Sequence, residues 1–443
     1  MADHSSIPGL MLVVFICVLI AYDCRSTIRN LVSARNVFLI TIIAWYGLES
    51  SLVPPELNRY TSSEFLRALV YVAMSVGGFL LAYSGTRSRF FDATFDRIIR
   101  IDRPKVVFSV FLFAIAIGFL PLVVLSNGDL TLILKDAFIP GRRWSGVFQR
   151  GRFGGTRDAF LELQMFLRAA IPVAAAIVYE KKQSGFAKAV AIAFSCYMIS
   201  KAINDGTRSK VVEVLLPFGA ALYWRMKNKY KRLALVFGLP TLVALGLFWS
   251  AASVLGRNEG ALKWEEAGSA EYVGFEMFRE LLFLSKCVPA EVGFQYGYTY
   301  LVQLVNPIPR AIWQNKPVGD AGLVLADMQG QVQNGQTMMT VAPGLIGEMY
   351  WNFGVVGIIG LSAFLGVVAK AWDRARKLAS ESLLSFTVYA AGLAIIFVTG
   401  RSVSMNILYG MLALYTLLIL CGRSRSSRVK ANIYRYQMDI KQR

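Results

Sequence analysis

Between residues 305 and 357 the chain gathers the groups from which a group-transfer site could be built. The segment begins VNPIPRAIWQNKPVGDAG and ends MMTVAPGLIGEMYWNFGVVG. Arg310 and Lys316 supply positive charge, Asp320, Asp327 and Glu348 supply carboxylates, and Asn352 supplies an amide. Arginine pairs with phosphate or carboxylate oxygens through planar, doubled hydrogen bonds. A carboxylate can take the proton of an attacking hydroxyl. The only histidine is His4, beside the N-terminus, which all but excludes histidine-based catalysis. A general base would then be Asp or Glu, and Asp205, Asp320, Asp327 and Glu348 are the leading candidates, ahead of Glu265, Glu266 and Glu271. Glu348 follows APGLIG in a partly apolar setting, which would raise its pKa toward a useful range. It could equally be a carboxylate that complements a helix N-terminus.

These groups sit in a hydrocarbon-rich chain. Of 443 residues 55% are hydrophobic and only 17% charged, against about 25% charged in soluble domains. Apolar runs near the length of about 20 residues that spans a bilayer recur throughout. The fold class is therefore an all-α polytopic integral membrane protein. The roughly 10-residue alternation of an outer-membrane barrel is missing. Expected spans are 7–22, 36–53, 65–83, 106–126, 159–179, 189–202, 211–224, 233–255, 343–368, 383–398 and 405–420. That gives about 11 transmembrane helices, with a range of about 10 to 13, because the short sixth and seventh could be half-helices. The first span is expected to be retained, since its n-region is not basic and no small-residue cleavage site follows.

Lys and Arg crowd every second link, those after spans 1, 3, 5, 7, 9 and 11. By the positive-inside rule these links and the C-terminus are cytoplasmic, and the N-terminus is outside. The same rule accounts for the net charge of +19 without invoking nucleic acid, which is not an expected partner. The organisation is then residues 1–255 with spans 1–8, an extracytoplasmic loop over 256–342, spans 9–11 over 343–422, and a basic cytoplasmic tail over 423–443. Within the long loop, which precedes the last three spans, 271–287 reads as an amphipathic helix. It would lie on the membrane surface, roof a cavity, or pack on span ends. No cysteine or histidine spacing supports a disulfide framework or a zinc site, so neither metal nor cofactor is expected.

Outer links should be poor in cations, yet several are not. Arg142, Arg143, Arg150, Arg152 and Arg157 lie in one, Arg208 and Lys210 in another, Arg257, Arg310 and Lys316 in the long loop, and Arg401 in the last. Convergence on one anionic group is the simplest reason; contact with lipid headgroups is the alternative. Glycines beside the arginines in GRRWSG and RGRFGGTR would let backbone N–H groups approach a phosphate. Inside the spans, Arg168 and Glu213 stand in apolar surroundings, where a charge is functional or paired.

With PRAIWQNKP at 309–317, GEMYWNFGVVG at 347–357, NDGTRSK at 204–210 and Arg401, the chain resembles the Wzy-type polymerases of O-antigen and related exopolysaccharide repeat units. The resemblance implies a GT-C-like, metal-independent membrane glycosyltransferase in the bacterial inner membrane. It would transfer a growing glycan from undecaprenyl diphosphate to a hydroxyl of an incoming lipid-linked unit at the outer face. Glu348, Arg310 and Asp320 would then be catalytic. Arg142, Arg143, Arg208, Lys210, Arg257, Lys316 and Arg401 would bind diphosphate, and Trp313, Tyr350 and Asn352, with Trp144 and Trp351, would meet sugars. Partners implied are the lipid-linked donor and acceptor, membrane lipid, a Wzz-type chain-length regulator and a Wzx-type flippase. Two alternatives share the membrane setting. An O-antigen ligase would resemble a pattern with an important periplasmic histidine, which is lacking. A transporter of lipid-linked oligosaccharide would show internal repeats and broken helices.

Overall fold

Long apolar runs can satisfy their backbone only as helices once water is excluded, and helices account for most of this computed structural model. It describes residues 6–99, 101, 103–138, 161–204, 208–226, 230, 277–305, 308, 312–317, 321–329, 332–333, 336–337, 341–402, 412–413, 416 and 418. In chain order the helices are α1 (Ile7–Cys24), α2 (Ala34–Ile42), α3 (Leu48–Leu52), α4 (Ser62–Gly85), α5 (Asp92–Ile99), α6 (Pro104–Leu125) and α7 (Leu130–Phe138). There follow α8 (Met165–Tyr179), α9 (Gly185–Asn204), α10 (Arg208–Arg225), α11 (Met277–Cys287), α12 (Tyr298–Val305) and α13 (Ala321–Met328). The last described are α14 (Leu345–Ala379) and α15 (Leu383–Thr399). A single turn of π-helix, Ile43–Gly47, joins α2 to α3, so the second expected span is continuous. A two-residue hairpin pairs Val332–Gln333 with Gln336–Thr337.

Among the described residues α1, α4, α6 and α14 are long and apolar enough to cross a membrane, and α8 and α15 are shorter apolar helices. The chain is a helical membrane protein. Exposed Met11, Phe15 and Val18 on α1 are what lipid contact requires. The eighth expected span, 233–255, and most of the eleventh lie outside the described residues.

Four boundaries differ from expectation. Helices α9, of 20 residues, and α10, of 18, are longer than the runs expected for spans six and seven, because their polar ends continue the helix. The fifth span opens on a 3-10 turn, Leu161–Gln164, before α8 begins. The basic stretch KAWDRARK, expected as a loop, is the continuation of the 35-residue α14. Helix α5 lies in what reads as a basic loop; it buries Phe95 and Ile98 and sets Phe95 edge-on to Trp372 at 5.3 Å.

Lipid tails are as apolar as leucine, so helices in a bilayer are held by close packing and polar ties more than by apolar burial. The α4–α14 pair shows both. A Cβ on Gly78 would come within 2.9 Å of the Ile359 carbonyl, and one on Gly366 would come closer still to the Phe79 carbonyl. Between them the Ser75 and Ser362 hydroxyls share a hydrogen bond of 2.8 Å. Phe79 also stacks on Phe38 at 3.8 Å, which adds α2 to the same seam.

Arg168 and Glu213 are paired with each other. Arg168 Nε donates to Glu213 Oε2 at 2.8 Å and the guanidinium reaches both carboxylate oxygens. The pair ties α8 to α10, with side chains 27% and 10% exposed. Removing one member strands the other charge, whereas replacing both does not. Arg168→Ala is expected to cost about 2–3 kcal/mol of stability in detergent. Arg168→Met with Glu213→Met should recover most of it; equal losses would show that the pair is not the tie.

Candidate functional site

The segment that carries Glu348 is a short helical piece separated from the rest of α14 by a break. Phe353 (φ −139°, ψ 16°) and Gly354 (φ 62°, ψ −148°) leave helical geometry. Gly354 takes a positive φ, which glycine adopts at no steric cost, and the Phe294 ring lies 3.3 Å from where a Cβ would sit. A break strands backbone groups at both ends, and in a membrane protein they must be satisfied inside. They are. At the start, Leu345 N donates to the Gly400 carbonyl at 3.1 Å and Ile346 N to the Tyr46 hydroxyl at 2.9 Å. At the end, Gln295 N and Tyr296 N donate to the carbonyls of Trp351 and Asn352, both at 3.0 Å. Gly344 (φ 71°) makes the entry turn, at a position where a Cβ would stand 2.6 Å from the Tyr46 hydroxyl.

Glu348 is fully buried. Its Oε1 accepts from Thr299 Oγ1 and Gln303 Nε2, each at 3.2 Å, and its Oε2 from Ser402 Oγ at 3.3 Å. Thr299 and Gln303 are four apart on α12 and so share a helix face. Ser402 directly follows Arg401 in the turn after α15. Three side chains from two separate segments therefore converge on one carboxylate. Asn352 braces the arrangement. Its Nδ2 donates to Thr299 Oγ1 and to the Glu348 carbonyl, both at 2.8 Å, and its Oδ1 accepts from Gly297 N at 2.9 Å.

A second carboxylate supports this end of the bundle. Glu49, buried in α3, accepts from Phe278 N at 2.9 Å and Arg279 N at 3.2 Å. It thereby serves the N-terminus of α11, where an acidic group complements the dipole. Helix α11 is not the one-sided helix expected. Nine of its residues are buried, including the Arg279–Glu280 ion pair at 3.2 Å, and Gln329 donates to the second Glu280 oxygen. Leu284 packs 3.0 Å from where a Cβ of Gly347 would be. The helix is thus wedged against the Glu348 segment, with Lys286 its one exposed residue.

The other expected site residues fall as follows. Tyr350 is buried, stacked on Tyr71 at 5.0 Å, and its hydroxyl donates to the Val288 carbonyl at 3.1 Å. Tyr350 and Asn352 thus hold the site together from inside. Lys316 is buried and its Nζ donates to the Ile308 carbonyl at 3.0 Å. Trp313 and Asp327 are exposed, and Arg401 and Lys210 are half-buried. Arg208 is the first residue of α10; its side chain is outside the described set. Arg142, Arg143, Trp144, Arg150, Arg152, Arg157, Asp205, Arg257, Glu265, Glu266, Glu271, Arg310 and Asp320 also lie outside the described residues. Thr299, Gln303 and Ser402 carry no signal in a sequence read for charge. Glu49 does carry one, as a carboxylate inside an expected span.

Fold and site together define a helical membrane protein that encloses a carboxylate beside a break in one of its longest helices. No family model, no curated protein and no solved structure matches the chain.

Proposed function

We propose that the protein is a polymerase of lipid-diphosphate-linked oligosaccharide repeat units, a metal-independent membrane glycosyltransferase of the Wzy type. On this reading it has about 11 spans with a GT-C-like arrangement, sits in the bacterial inner membrane, and works at its outer face. The supporting observation is the convergence on Glu348. Both segments that donate to its carboxylate run directly into cationic stretches. Ser402 adjoins Arg401, and α12, which carries Thr299 and Gln303, leads into the stretch with Arg310 and Lys316. The acceptor hydroxyl loses its proton to Glu348 as its oxygen bonds to the anomeric carbon of the donor glycan. The bond from that carbon to the lipid diphosphate breaks, and the cations neutralise the departing charge. Each well-placed donor to that leaving group contributes ~3 kcal/mol. Because Glu348 is enclosed, a neighbouring segment has to open for an acceptor to reach it.

One observation favours a different class. A helix broken beside a buried carboxylate is a feature of transporters, so a flippase of lipid-linked oligosaccharide is the second reading. Deleting the gene and running surface glycan on a gel separates them. Loss of the polymerase leaves single repeat units and removes the ladder; loss of a flippase removes both. An unchanged ladder contradicts each.

A further inference from the structure

On α12, the helix that holds Glu348, lies a buried hydroxyl with no hydrogen-bond partner among the described residues, that of Tyr300. It comes one residue after Thr299 and three before Gln303, both of which hold the carboxylate. The phenol is near the Asn352 side chain and within electrostatic reach of Glu348. Asn352 is the polar side chain nearest in effect to it, but the Asn352 amide is directed at Thr299 and at the Glu348 carbonyl, and the phenol makes no hydrogen bond of ordinary geometry to it. The indole N–H of Trp351, next to Asn352, is likewise buried with no acceptor among the described residues. A donor shut away from water with nothing to bond is destabilising, and natural structures keep few of them. Burial, with the Glu348 charge adding to it, holds the phenol well above its ordinary pKa, so it remains protonated and able to donate. A sugar presents neighbouring hydroxyls. A carboxylate and a phenol within electrostatic reach of each other can serve such a pair, one acting as acceptor and the other as donor.

We propose that Tyr300 is a ligand-facing residue of this site: its hydroxyl binds a hydroxyl of the incoming sugar adjacent to the one deprotonated by Glu348. The proposal rests on the polymerase reading above and adds a residue that selects the acceptor. It makes two predictions that a structural hydroxyl would not make together. Tyr300→Phe removes only the oxygen, so the purified protein should unfold at the same temperature or higher in the absence of substrate. In elongation assays with lipid-linked repeat units extracted from the deletion strain, the concentration for half-maximal rate should rise about tenfold, as loss of one hydrogen bond to the acceptor implies. The maximal rate should stay within about threefold. A melting temperature lower by several degrees would overturn the proposal, because the hydroxyl would then have a partner within the protein. So would an unchanged half-maximal concentration in a preparation that Glu348→Gln inactivates, and that result would leave the polymerase reading standing. Absence of elongation by the intact wild-type protein would overturn both.

Discussion

Replacing Asp373 with alanine is expected to destabilise the protein in detergent by about 3 kcal/mol, a large share of the stability of a typical domain. The carboxylate accepts four hydrogen bonds. Ala34 N donates to Oδ1 at 2.8 Å and Arg35 N to Oδ2 at 3.3 Å, while the hydroxyls of Tyr83 and Tyr389 donate at 2.7 Å each. It thus complements the N-terminus of α2 and ties α2, α4 and α15 to α14. Around it Arg35 pairs with Asp23 at 3.0 Å, and Trp372 Nε1 donates to the Tyr389 carbonyl at 3.2 Å. In a bilayer, where apolar burial does little to hold helices together, such a knot counts for more. Asp373→Asn keeps one acceptor and should lose about half as much. Thermal unfolding of the two variants checks this; a wild-type melting temperature for Asp373→Ala would show that the four contacts are individually dispensable.

The second large effect is functional. Glu348→Gln is expected to lower polymerisation by about 100- to 10,000-fold, the range that general-base catalysis supplies, with normal protein levels in the membrane. The amide has the same size as the carboxylate. Its NH₂ can occupy the Oε2 position, where the Ser402 hydroxyl can turn to accept instead of donate. Thr299 and Gln303 keep their acceptor at Oε1. The fold is therefore retained while the proton acceptor is lost. A full-length glycan ladder from Glu348→Gln at matched membrane levels would remove Glu348 from the mechanism.

The two polar knots also show how far the sequence could be read. The alternation of basic links implies that the start of the second span, the end of the third and the start of the tenth share one side. Asp373 brings those three ends together, at Ala34, Tyr83 and Tyr389. Apolar length and cation spacing carry that information, because each is set by the membrane and not by a particular partner. Asp373 itself is hidden in KAWDRARK, where four neighbouring Lys and Arg side chains and the end of the apolar run suggest a loop. Arg168 and Glu213 were legible as costly charges, but 45 residues separate them, and nothing local says that each solves the other's problem. At the candidate site Glu348 stood out as a carboxylate at a span start. Thr299, Gln303 and Ser402 did not, since a hydroxyl or an amide becomes informative only once the fold delivers it to a charge. The break at Phe353–Gly354 was equally obscured, because apolar residues continue on both sides of it.

The central claim is that this membrane protein joins glycan units by displacing a lipid diphosphate. The most direct measurement is reconstitution of the purified protein into vesicles with lipid-linked repeat units and no added nucleotide sugar or metal. Glycans longer than one unit should appear, with one equivalent of free lipid diphosphate released for each new linkage. Folded protein that yields no lengthened glycan, or that releases lipid diphosphate without lengthening it, would contradict the account.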